Sequence, residues 1–145
     1  MCMPSFRNTK ILPYTDKQLY NIIIDVESYP EFLPWCKDSE IISKIDENNF
    51  DAMLTIGYKA LDENYTSRVK GIYLKQIESI AVTGPFKYLD SIWIFKKSGK
   101  TCQVTFTLNY EFKSFFLAKI MGAIFQKASE KMFSAFESRA EELYI

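Results

Sequence analysis

The sequence predicts an α+β fold in which a curved antiparallel sheet of six to seven strands is crossed on its concave face by one long C-terminal helix. Three observations carry this expectation. Strand-like and helix-like patterns are segregated along the chain rather than alternating. From about Lys37 to Phe112 apolar residues recur with period two, broken by turn signals at roughly a dozen residues. From Phe115 to Tyr144 no proline interrupts a helical pattern.

Taken in order, Phe6 to Leu12 reads as a short strand closed by Pro13. Thr15 then offers an N-cap, Gln18 completes a Thr-x-x-Gln box, and Leu19, Ile22, Ile23 and Val26 share one helical face. In Tyr29-Pro30-Glu31-Phe32-Leu33-Pro34-Trp35-Cys36 the two prolines allow at most one helical turn, with Pro30 near its start. The aromatics of this turn are expected to be exposed.

Glu40 to Ile45 is the next strand, ended by Asp46-Glu47-Asn48-Asn49. Phe50, Ala52, Leu54, Ile56, Tyr58 and Ala60 alternate with Asp51, Met53, Thr55, Gly57 and Lys59, as in a strand with one buried face. Leu61-Asp62-Glu63-Asn64 is read as a turn, followed by strands from Tyr65 to Tyr73 and Leu74 to Val82, with Thr83-Gly84-Pro85 breaking the second. Phe86 to Lys97 and Thr101 to Phe112 flank the hairpin signal Lys97-Ser98-Gly99-Lys100. In the latter strand Cys102, Val104, Phe106, Leu108, Tyr110 and Phe112 face one way. Ser114 caps a helix of about 40 Å, whose core stripe is Leu117, Met121, Ile124, Phe125, Ala128, Met132, Ala135, Phe136 and Leu143.

Composition excludes several chemistries. The 145 residues carry 18 Lys+Arg against 18 Asp+Glu, and no histidine. A chain of this size buries roughly 68% of its unfolded surface, which suits one domain spanning 1–145. Zero net charge argues against a nucleic-acid binder held by bulk basicity, and no DNA partner is expected. Without imidazole there is no Ser/His/Asp or Cys/His pair and no HExxH zinc site. Cys2, Cys36 and Cys102 form no ligand spacing, so no metal site is expected and a reducing compartment fits better than a disulfide framework. The N-terminus lacks an apolar signal region, and Phe115 to Phe125 falls far short of the ~20 residues of a membrane span. The chain is expected to be soluble or peripheral.

A helix laid across a curved sheet leaves room for a cavity, a common apolar ligand site. Its lining is expected to come from Met53, Tyr65, Trp93, Phe106, Met121, Phe125 and Met132, with Phe32 and Trp35 at the mouth. Methionine is adaptable, so such a lining suits a flexible apolar ligand. The alternative is that the same residues are plain core, and periodicity by itself favours that reading.

Beyond these patterns, the segments Tyr29-Pro30-Glu31-Phe32-Leu33-Pro34-Trp35-Cys36, Ile56-Gly57-Tyr58-Lys59-Ala60-Leu61, Tyr65-Thr66-Ser67-Arg68-Val69, Gly84-Pro85-Phe86-Lys87-Tyr88-Leu89 and Phe133 to Tyr144 resemble the coenzyme Q-binding START-domain family. Its bacterial members include ribosome-association toxins. The resemblance covers Phe6 to Tyr144 and implies a helix-grip (START-like) fold, shared with polyketide cyclase-like and lipid-transfer proteins. It also implies binding of ubiquinone or its isoprenoid tail without transformation, in support of quinone synthesis and respiratory electron transfer. No cofactor is implied beyond this bound ligand. The location implied is cytoplasmic, with peripheral contact at the inner membrane. Tyr88 stands where family members often carry a basic residue or histidine, so no role for a cation transfers there.

By position, Pro34-Trp35 matches the family's Phe-x-Pro-Trp-Cys motif at the cavity entrance. Phe32 and Leu33 would form an apolar lip, and Trp35 either meets a quinone ring or membrane interface or staples the short helix to the sheet. Cys36 is a small buried apolar residue rather than a nucleophile, having no histidine beside it. Lys59 and Arg68 either bind a head group or ribosomal RNA phosphate or form a solvated face. Phe112, Phe115 and Phe116 near Lys113 and Lys119 either dock on a membrane or pack the strand-to-helix corner. The functional expectation is a non-catalytic carrier of ubiquinone or a related isoprenoid. The alternatives are a toxin that binds the large ribosomal subunit and blocks subunit joining, and a cyclase-like enzyme using a carboxylate or tyrosine.

Overall fold

The computed structural model describes residues 5–58 and 61–144. Its elements are β1 (Ser5–Leu12), α1 (Asp16–Ile24), a short 3-10 helix (Val26–Glu31), β2 (Cys36–Asp46), β3 (Asn49–Tyr58), β4 (Leu61–Ile72), β5 (Gln76–Thr83), β6 (Phe86–Ser98), β7 (Thr101–Phe112) and α2 (Phe115–Tyr144). All strand pairs are antiparallel, in the order β1-β7-β6-β5-β4-β3-β2. Consecutive hairpins carry the chain from β2 to β7, and β1 then pairs with β7, placing Ser5 opposite Asn109. β1 and β2 are therefore the two edges. α1 and the 3-10 helix span the sheet between them, and α2 completes the cover. Register shifts in β2 and at the start of β6 mark bulges, which bend strands and help the sheet curve.

Local signals set the boundaries that matter for the site. The Gln18 N–H donates to Thr15 Oγ1 at 3.2 Å and the Thr15 N–H donates to Gln18 Oε1 at 3.0 Å, closing the capping box of α1. The Leu117 N–H donates to Ser114 Oγ at 3.0 Å, which fixes the start of α2. Gly99, at φ 62°, sits in the tight turn between Ser98 and Thr101.

Four expectations need correction. Leu61 to Asn64 do not turn the chain: they open β4, with Asp62 opposite Gly57 and Asn64 opposite Thr55. Residues 59–60, between β3 and β4, lie outside the described residues. β5 begins at Gln76 rather than Leu74, because Leu74 adopts φ 65°, a turn conformation no strand accommodates. Pro30 lies near the end of its helix, which is a 3-10 helix of six residues starting at Val26. Tyr29 and Pro30 both lie inside it, and the turn ends where the Phe32 N–H donates to the Tyr29 carbonyl at 3.2 Å.

The stripe on α2 is also incomplete. Leu143 is 50% exposed, whereas Phe133 and Ala140, outside the stripe, are 1% and 0% exposed. Near its C-terminus α2 is flanked by β1 and α1 as well as the sheet floor, so its buried arc widens beyond the single face that periodicity marks.

Candidate functional site

Between the concave face and α2 lies a chamber of about 90 Å³. Its floor is the inward-facing set of β3 to β7, including Leu54, Ile56, Tyr65, Val69, Leu89, Trp93 and Phe106. Phe125, Met132 and Phe136 from α2 form the roof, and Ile23, Val26, Tyr29 and Trp35 close one side. A smaller void of about 20 Å³, bounded by Trp35, Ile56, Gly57, Met121, Ile124, Phe125 and Ala128, adjoins it. Trp35, Ile56 and Phe125 belong to both walls. They form the partition towards the N-terminal half of α2.

Aromatic packing fixes this architecture. Trp93 stacks on Phe106 with ring centres 4.3 Å apart, and Phe136 meets Trp93, Tyr29 and Phe32 edge-on. Phe125 inserts among Phe86, Tyr110 and Phe112. The Tyr29 hydroxyl donates to the Ile23 carbonyl, tying the 3-10 helix to α1.

Of the residues read from sequence, Tyr65, Trp93, Phe106, Phe125, Met132 and Trp35 line the chamber, and Met121 lines the adjoining void. Met53 does not. It has the parity of Asp51 and Thr55, so it points to the convex face while Ala52 and Leu54 point inward. The apolar lip also dissolves. Leu33 is buried in the core and Pro34 is exposed. Phe32 packs on Phe136 beneath the Arg139 guanidinium rather than on the chamber. Arg68 is on the convex face, paired with Asp51 at 3.0 Å. Lys59 lies outside the described residues. Phe112 packs inside, but Phe115 and Phe116 do not fill the strand-to-helix corner: they are 86% and 69% exposed.

Sequence reasoning missed a polar row. Ser67 on β4, Ser79 on β5 and Ser91 on β6 all line the chamber. Ser67 and Ser79 share a hydrogen bond, and Ser79 stands opposite Ser91 in the ladder. Their signal was present, since each serine occupies the inward parity between apolar neighbours: Tyr65 and Val69, Ile77 and Ala81, Leu89 and Trp93.

Among the described residues, no Asp, Glu, Lys or Arg lines the chamber. Burial pushes the Tyr29 and Tyr65 hydroxyls well above the usual tyrosine range, so both stay neutral. Burial likewise raises the Cys36 thiol to about 11. The walls can hold an apolar molecule and hydrogen-bond to it, but offer no group that exchanges protons near neutrality. Among the described residues no cluster of three metal-ligating side chains exists, and no helix is long and apolar enough to cross a membrane.

Comparison with known proteins matches residues 12–137 to the family described as polyketide cyclase/dehydrase and lipid transport. The ribosome association toxin RatA of Rickettsia prowazekii is 44% identical, over 97% of this chain and 99% of its own length. The mitochondrial coenzyme Q-binding protein COQ10 of Dictyostelium discoideum is 40% identical, over 94% of this chain and 68% of its own. The crystal structure of the Zhui aromatase/cyclase from a Streptomyces species superposes with a TM-score of 0.82 at 15% identity, covering 97% of this chain and 94% of that one. At that identity the likeness is one of fold.

Proposed function

This chain belongs to the polyketide cyclase/dehydrase and lipid-transport family, and from that premise we propose that it binds ubiquinone or a related isoprenoid lipid between sheet and α2 without transforming it. The observation that carries the reading is the chamber itself, walled by aromatic and aliphatic side chains and, among the described residues, lacking any carboxylate, lysine or arginine. The likeness to a protein named for coenzyme Q binding, over nearly the whole chain, supports the ligand class.

Size sets a condition. At about 90 Å³ the chamber holds the equivalent of roughly three waters at about 30 Å³ each, far below the roughly 300 Å³ at which ligand pockets begin. Binding therefore widens it, and the partition formed by Trp35, Ile56 and Phe125 is where two voids already meet. That side faces the N-terminal half of α2, whose outer surface suits a lipid source. Phe115, Phe116, Lys119, Ala123 and Lys127 are all exposed and fall within about 120° of the helical wheel. No acidic residue occurs between Glu111 and Glu130. Exposed rings flanked by lysines match an anionic membrane surface, where aromatics sit at the headgroup level and cations pair with phosphate. Such a surface supports peripheral contact with a membrane during loading.

The test is lipid extraction and mass spectrometry of the purified protein, followed by add-back of ubiquinone with Trp35 and Trp93 fluorescence as the signal. A quinone or isoprenoid is expected in the extract and saturable quenching on add-back. Absence of both overturns the reading.

A second reading rests on the likeness to proteins named ribosome association toxins. Here the basic strip Lys113, Lys119 and Lys127 would meet ribosomal RNA phosphate. Overexpression would then deplete joined ribosomes in sucrose gradients, and unchanged profiles would remove it. A cyclase reading has the fold likeness and the family's description behind it, but among the described residues the chamber wall carries no carboxylate, and burial keeps the Tyr29 and Tyr65 hydroxyls neutral.

A further inference from the structure

Hydroxyl groups buried in an apolar chamber need partners, since leaving one without a hydrogen bond costs roughly 1–3 kcal/mol. Ser67 and Ser79 satisfy each other in part. Two hydroxyls carry two protons, and one hydrogen bond between them uses one, leaving an O–H free to donate to a third group. Ser91, opposite Ser79, and Tyr65, opposite Leu54 on the neighbouring strand, each add an O–H. Among the described residues neither of these side chains has a hydrogen-bond partner. Among the described residues the chamber walls contain no carboxylate, side-chain amide or imidazole, so only other hydroxyls are there to accept from them. The floor thus carries hydroxyls with unused hydrogen-bonding capacity, while the roof of Phe125, Met132 and Phe136 is wholly apolar.

We propose that Ser67, Ser79 and Ser91 form a seat for the carbonyl oxygen of a ring-shaped ligand head, so that the ligand enters head first and its apolar tail leaves past Trp35 and Phe125. This rests on the lipid-binding reading and adds to it an orientation and a class: a neutral carbonyl-bearing ring on a hydrocarbon tail, rather than a hydrocarbon alone. Because a hydroxyl both donates and accepts, the same row also serves the reduced, hydroxyl-bearing ring.

The experiment uses the full chain with two probes, a short-tailed ubiquinone analogue and a polyprenyl hydrocarbon without a ring. Ser67→Ala, Ser79→Ala and Ser91→Ala are compared with the wild type by tryptophan quenching. Ser91→Ala, and Ser67→Ala combined with Ser79→Ala, are each expected to weaken the quinone about 3- to 10-fold, the worth of one hydrogen bond, and to leave the hydrocarbon unchanged. As a second readout, the infrared carbonyl stretch of the bound quinone should move back towards its value in apolar solvent in the variants. Quinone affinity and carbonyl frequency both unchanged, or equal weakening of both probes, overturns the seat while leaving lipid binding standing. A wild type that binds neither probe overturns the lipid-binding reading and the seat with it.

Discussion

The two halves of α2 belong to one uninterrupted helix yet are held to the molecule in different ways. Beyond Ala128, Phe133 and Ala140 are sealed in the core, and Phe136 contacts three aromatic rings. The rim adds Lys10 to Glu137 at 3.1 Å, Arg139 to Glu31 at 3.0 Å, and the Tyr144 hydroxyl donating to the Gln18 carbonyl at 3.2 Å. Exposed ion pairs contribute little, so burial is the main restraint. Before Ala128, by contrast, the helix is secured chiefly by Met121 and by Phe125 in its cluster, while Phe115 and Phe116 face outward. Gly122 further weakens this half, because glycine costs about 1 kcal/mol relative to alanine inside a helix. One half is an anchor and the other is the part able to lift, and only the second adjoins the void beside Trp35.

The largest test of the contrast lies in the anchor. Phe133→Ala should destabilise the protein by about 3–5 kcal/mol in denaturant unfolding, the range for a fully buried phenylalanine. Phe125→Ala, at a half-buried position, should cost less, about 2 kcal/mol. It should also speed ligand uptake in stopped-flow quenching, because Phe125 separates the two voids. If the two substitutions destabilise equally, the halves do not differ as described. Gly122→Ala should stabilise by about 1 kcal/mol and slow uptake, since nothing lies within 4 Å of the added methyl group. The double variant Phe115→Ser with Phe116→Ser should change stability by less than about 0.5 kcal/mol yet abolish co-sedimentation with anionic vesicles. Retained vesicle binding would show that the outer face has no part in docking.

Cys36 reports on the same opening. Its thiol is raised from 9.0 to about 11, so at pH 8 its thiolate fraction is about a hundredfold below that of a free cysteine. Alkylation at Cys36, followed by peptide mass spectrometry, should be slow and should rise steeply with pH towards 11. It should slow further in Gly122→Ala if lifting of the N-terminal half exposes it.

Some of this was readable from the chain and some was not. The caps at Thr15 and Ser114 and the alternation of β7 act within a few residues, so composition and spacing reveal them. Met53 was readable and misassigned: its size and chemistry suggested a lining, but strand parity alone places it outside. Phe133 was hidden, because what packs on it is Trp93 of β6 and Lys10 of β1, far along the chain, and no local period encodes those neighbours. The hydroxyl row lay in between. Each serine was legible as a polar residue on a buried parity, but their alignment across three strands follows from the hairpin registers.

By itself, then, the sequence determined which stretches alternate and which wind, where the helices start, and the exclusion of imidazole chemistry, since these depend on residue identity and near neighbours. Tertiary structure decided how large the chamber is, which side chains wall it, and which half of α2 is left exposed. Those properties arise from the registers of seven strands and from where α2 crosses their curvature, contacts that form only when distant segments meet.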